Sequence, residues 1–278
     1  MNVSHEKLFQ VAKYVVYALL TLNIFLFFAE EWAASTHRFA NGLSLTDVIE
    51  GFASTIDTAA WVVLLLMFEL ETYQLADHQF TRRVTLALHS LRGICYCFIV
   101  YAFYGYVTKS LFLLGVTAAP EIADICSLAV NQWTYAIDLD EYQLITAANC
   151  ASFTTDTVFY RFPGMQAVVD QVGRTEIVRL AWVDVVNAAV WLLVVLVLEI
   201  DVRLQESNLL LGAALRISTA SKYVFYSILF LAAAYWGWKG DFVDFWDAFL
   251  WLVAFVFIEL NVFDWRHETL PQPAEGSA

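Results

Sequence analysis

Charge is scarce in this chain, and basic charge scarcest. Only 15% of the 278 residues are Asp, Glu, Lys or Arg, where soluble domains carry about 25%. Lys and Arg number 15 against 28 Asp and Glu, leaving a formal net charge of −13. No basic run stands anywhere in the sequence. The clustered cations that nucleic-acid phosphates demand are therefore missing, which excludes nucleic acid as a partner.

Signatures of chemistry are missing as well. There is no Gly-rich phosphate loop, no His/Cys spacing of a zinc site and no Gly-x-Ser-x-Gly elbow. No catalytic residue, cofactor or metal is assigned, and the balance is against an enzyme. A haem held by two histidines needs two in the apolar segments, and only His89 is there; His5, His37, His78 and His267 are terminal or in loops. No segment has the regular Arg spacing of a voltage sensor. No lipidation motif ends the chain. The segment after the first apolar run, Ala29-Glu30-Glu31-Trp32, is a poor cleavage site, so that run reads as a retained signal anchor.

Cysteines are few, four in all. Cys95 and Cys97 are two apart on one apolar segment, about 200° around a helix, and read as packing residues. Cys126 and Cys150 share one long loop and lack Cys-x-x-Cys redox spacing. They are expected to form a disulfide stabilising that loop by roughly 3 kcal/mol, which requires an oxidising compartment.

What the chain has is apolar bulk, 60% of its residues against about 45–50% in soluble proteins. Six segments approach the roughly 20 residues a membrane-spanning helix needs: about 9–28, 55–74, 83–107, 180–202, 222–239 and 244–264. They lack barrel-like alternation, so the expected fold class is an all-α polytopic membrane protein. Residues 108–179 are expected as an extracytoplasmic loop, and residues 271–278 as a disordered polar tail within a single bundle ending near 270. Basic residues gather on one side (Lys7, Lys13, Arg82, Arg83, Arg203, Arg216, Lys222, Arg266), which places both termini in the cytoplasm. A bacterial inner membrane is the expected location. The stretch 44–56 has helical apolar spacing and reads as a short surface helix.

One phrase recurs three times. It reads Asp57-x-x-x-Trp61 followed by Glu69-Leu70-Glu71, then Asn187-x-x-x-Trp191 followed by Glu199-Ile200-Asp201, then Asp247-x-x-x-Trp251 followed by Glu259-Leu260-Asn261. The first and fifth segments open alike, on Lys13-Tyr-Val-Val-Tyr17 and Lys222-Tyr-Val-Phe-Tyr226. The expected plan is therefore six spans arranged as three antiparallel hairpin repeats, the middle one split by the disulfide-bearing loop.

The repeated acids fall inside the membrane. The uninterrupted apolar run 58–68 covers only about 16 Å, roughly half a bilayer core, so its helix must continue through Glu69 and Glu71. Arg92 reaches a depth of about 14 Å and Glu69 about 12 Å. Ionisable groups at such depth face the bundle interior and pair. The expected site is a cluster of Glu69, Glu199, Glu259, Arg92 and His89, with Glu71, Asp201, Asp57 and Asp247 as secondary candidates. Two functions fit. The first is a transporter or channel moving protons or small cations past these carboxylates. The second is a scaffold or accessory subunit that docks a membrane or periplasmic protein through its acidic outer loop; an oligomer is compatible with either. The lipid bilayer is a partner in both.

Overall fold

The computed structural model describes residues 3–38, 48, 51–71, 81–122, 124–153, 158–207 and 212–269, with the side chains of 3–6, 37–38, 205–206 and 259–269 left out. Most of the expected surface helix 44–56 and the tail 271–278 lie outside the described residues.

Among the described residues there are six long helices: α1 (Val3–Arg38), α2 (Ala53–Glu69), α3 (Arg82–Leu114), α4 (Gln171–Glu206), α5 (Ala213–Lys239) and α6 (Phe242–Thr269). Four of them, α1, α3, α4 and α5, are long and apolar enough to cross a membrane. Each runs past its expected apolar segment, because none of these stretches contains a proline to break the helix before a cap or a glycine ends it. Thr81 caps α3, its side chain accepting from the Val84 amide. Gly240, at φ 91°, ends α5 in the left-handed conformation, and the Gly240 and Asp241 amides return to the Trp236 carbonyl.

The helices form a closed ring. Each packs on the next in sequence, and α6 returns to α1. The main apolar core joins Leu20 of α1, Leu65 of α2, Val194 of α4, Leu229 of α5 and Ala254 of α6. Gly237 allows α5 and α6 to approach closely: a Cβ there would meet the Phe245 ring at 3.0 Å.

The connection from α3 to α4 corrects the all-α expectation. It folds into a five-stranded sheet of β1 (Thr117–Ala118), β2 (Thr134–Ala136), β3 (Tyr142–Leu144), β4 (Phe159–Arg161) and β5 (Ala167–Asp170). The order is β1-β4-β5-β2-β3; β2 and β5 are parallel and the other pairs antiparallel. Strands of two to four residues are too short for alternation to register in a sequence. Between the helices the connection runs from residue 115 to 170, since α3 ends at Leu114 and α4 begins at Gln171. Val168, Val169 and Phe162 are almost fully buried in this small domain. Cys126 and Cys150 are disulfide-bonded, with Cα atoms 5.0 Å apart.

Candidate functional site

The three tryptophans of the repeated phrase meet. Ring centroids of Trp61 and Trp191 are 6.2 Å apart, and each lies 6.3 Å from Trp251. All three pairs are tilted or edge-on, the arrangement that the ring quadrupole favours. The triangle brings α2, α4 and α6 together inside the ring.

One turn toward the sheet domain stand Asp57, Asn187 and Asp247. The spacing Asp-x-x-x-Trp puts acid and indole on one helix face, so the carboxylates of Asp57 and Asp247 stand close to the indoles of Trp61 and Trp251. Asp247 accepts from Asn23 Nδ2 at 2.8 Å, and Asp57 from the Tyr106 hydroxyl at 3.5 Å. Asn23 is fully buried. The side-chain oxygens of Asn23 and Asn187 are buried without a hydrogen-bond partner among the described residues. Asp57 and Asp247 lie within electrostatic reach of each other.

A further turn outward, Ser54, Asp184 and Asp244 occupy the matching positions. Asp184 and Asp244 sense each other and Asp241. Lys109 pairs with Asp140 at 2.7 Å and also acts on Asp184. Buried Glu31 closes the start of α2, accepting from the Ser54 amide at 2.8 Å and the Thr55 hydroxyl at 2.6 Å. A carboxylate at a helix N-terminus satisfies orphan amides and the helix dipole together. At the mouth, burial pushes the Asp138 carboxyl up to about 6; the Leu139 amide opposes this, and Asp241 and Asp140 add to it. Burial also raises Asp241.

At the opposite end, the acids find separate partners. Glu69 is buried and accepts from Lys13 Nζ at 2.7 and 2.9 Å and from the Tyr14 hydroxyl at 2.9 Å. Arg92 pairs with Glu71 at 2.6 Å. Asp201 is buried and takes Lys222 at 2.9 Å and the Ser218 hydroxyl at 2.6 Å. Glu199 is exposed and pairs with Arg203 one turn along its own helix. His89 is exposed, its Nδ1 2.8 Å from the Thr85 carbonyl. The Glu259 side chain lies outside the described residues.

The structure thus does not gather Glu69, Glu199, Arg92 and His89 into one cluster. Acids two residues apart point about 200° apart, so only one of each pair faces inward. In α2 that residue is Glu69; in α4 it is Asp201. Equal depth placed Arg92 beside Glu69 in the sequence reading, but depth carries no azimuth, and α3 packs on the side of α2 that offers Glu71.

Lys13, Lys222 and Tyr14, which the sequence presents as topology or repeat markers, hold the buried acids. A signal for them exists. Each odd-numbered helix carries a base four residues before a tyrosine: Lys13 and Tyr17, Arg92 and Tyr96, Lys222 and Tyr226. Counted from that base, the residues seven and ten places on are buried in all three helices: Leu20 and Asn23, Ile99 and Ala102, Leu229 and Ala232.

Comparison with known proteins finds no matching family model, no similar curated protein and no similar solved structure. Among the described residues no group of three or more His, Cys, Asp or Glu is placed to hold a metal ion.

Proposed function

We propose that the chain spans an inner (plasma) membrane six times as three related hairpins, both termini cytoplasmic, and passes protons or small cations along the axis of α2, α4 and α6. The observation that carries this reading is the acidic column above the tryptophan triangle: Asp184 and Asp244 outermost, then Asp57 and Asp247 within electrostatic reach of each other. Carboxylates taken out of water need a compensating positive charge, and Asn23 and Asn187 add oxygen acceptors at the same level. The triangle is the constriction that a mobile ion passes or that moves aside. Below it Glu69, Asp201, Glu71, Arg92, Glu199, His89 and Glu259 make the inner stage, where Lys13 and Lys222 compete with the ion for their acids.

The repeat is supported by the matched tryptophans and the matched burial along α1, α3 and α5. The bond between Cys126 and Cys150 fits an outer, oxidising side for the sheet domain.

The test is flux in liposomes loaded with a pH dye or a sodium dye. Replacing Asp57 and Asp247 together by Asn should lower flux at least about tenfold, a barrier rise of 1.4 kcal/mol. Undiminished flux in that variant rejects the column as the path. The second reading, an accessory subunit, draws on Val130 and Val158 of the sheet domain, 85% and 55% exposed. It expects no flux from the wild-type protein, and a co-purifying partner lost on Val130→Asp.

A further inference from the structure

A cavity of about 290 Å³ opens between α4 and α5, lined by Asp201, Leu215, Ser218, Thr219, Lys222 and Tyr223 with Tyr226. Both helices are among the four able to cross a membrane. Lys222 stands about 26 Å along α5 from Lys239 at the other end, and a bilayer core is about 30 Å thick. The cavity therefore lies at the headgroup level of the leaflet opposite the sheet domain. Around it Ile217, Tyr223 and Val224 are exposed at 67, 71 and 55%, an apolar surround suited to acyl chains.

The lining is polar and carries both signs. Lys222 and Asp201 are 2.9 Å apart, with side chains 19% and 8% exposed. The Ser218 hydroxyl donates to Asp201, and Thr219 and Tyr223 bring further hydroxyls to the same wall. A fixed cation beside a fixed anion matches a ligand with the reverse pair. The phosphate of such a ligand meets the Lys222 ammonium and the hydroxyls, and its ammonium meets the Asp201 carboxylate. Phosphoethanolamine meets both demands. Its primary ammonium donates hydrogen bonds to a carboxylate, which a quaternary choline does not, and an uncharged glycerol headgroup brings no cation to add to the Lys222 and Ser218 contacts of Asp201.

We infer that this crevice is a binding site for a phosphoethanolamine headgroup, supplied by an aminophospholipid of the facing leaflet or by the free phosphomonoester. The inference is independent of the ion-conduction reading, since it requires no movement along the central axis.

Native mass spectrometry of the full chain in detergent, titrated with phosphatidyl-ethanolamine, -choline and -glycerol of identical acyl chains, tests it. The ethanolamine lipid should bind about tenfold more tightly than the other two. Ser218→Phe, which fills the crevice, and Asp201→Asn, which removes the carboxylate that selects the primary ammonium, should each abolish that preference. Competition by millimolar O-phosphoethanolamine would show that the headgroup suffices; a preference that persists against it assigns the site to the lipid. Equal affinity for the three lipids in the wild-type protein overturns the inference. So does a preference unchanged in either variant.

Discussion

Lys13 with Glu69 and Lys222 with Asp201 begin as the same sentence, a lysine four residues before a tyrosine facing an acid on a neighbouring helix, and they end as different sites. Lys13 is sealed, its side chain 3% exposed, while Lys222 stands at 19% beside an open crevice. One substitution and one difference in side-chain placement account for the difference. Four residues before the lysine, α1 has Phe9, whose ring packs edge-on against Phe257 of α6 at 5.0 Å; α5 has Ser218. The residue after the lysine is Tyr14, whose hydroxyl closes over Glu69, or Tyr223, 71% exposed. Partner choice differs too. Arg92 pairs with Glu71 of α2 and Lys222 with Asp201 of α4, in each case the second acid of the phrase, whereas Lys13 pairs with Glu69, the first acid of α2. One motif thus gives a buried lock where its neighbours are large and a ligand-sized crevice where they are small.

The largest expected effect breaks the lock. Lys13→Met leaves Glu69 buried without its cation and should cost about 3–5 kcal/mol in denaturant unfolding of the detergent-solubilised protein. Lys222→Met leaves Asp201 beside an open crevice, where solvent screens it, and should cost about 1 kcal/mol. Equal losses would mean that the difference in burial carries no energy. Next, Phe9→Ser should convert the sealed site towards the open one, at about 2 kcal/mol for the lost aromatic packing. If Lys13 then stays as slow to react with an amine-modifying reagent as in the wild-type protein, Phe9 is not what seals it.

Tyr14→Phe should cost about 1.5 kcal/mol through one charge-assisted hydrogen bond, and Tyr223→Phe within about 0.5 kcal/mol of nothing. A larger loss at Tyr223 would remove the contrast between the two tyrosines. The smallest effect sets both pairs against the outer domain. The unfolded chain titrates Asp138 near 3.8, and burial lifts it to about 6 in the folded protein. The folded state then binds the proton at the higher pH, so outer-domain stability should rise as pH falls from about 7 to 4 and level off below that. Hydrogen exchange of the β2 and β3 amides reads this slope. Asp138→Asn should flatten it without erasing it, because Asp241 shifts in the same direction.

Much of the helical frame was legible from apolar length alone, and the disulfide from loop placement and the absence of a redox spacing. The tryptophan phrase marked the helices that meet, since equal spacing from one end brings equal residues to one level. The site was legible only in part. Asp57 and Asp247, secondary in the sequence reading, sit beside the tryptophans because an acid four residues before an indole shares its face. Lys13 escaped notice because a lysine near a helix start reads equally well as a cytoplasmic marker. The sheet escaped because Thr117–Ala118 and Thr134–Ala136 are too short for any period to show.

The sequence by itself determined which residues stand at each height along each helix: apolar composition sets the lengths, and the 1.5 Å rise per residue converts spacing into depth. The tertiary structure decided the angle. Whether Glu69 or Glu71, Glu199 or Asp201 turns inward depends on how each helix is rotated against its neighbours. That rotation is set by packing among side chains distant in the sequence, Phe9 on Phe257 and Trp61 on Trp191 and Trp251 among them, rather than by any local pattern.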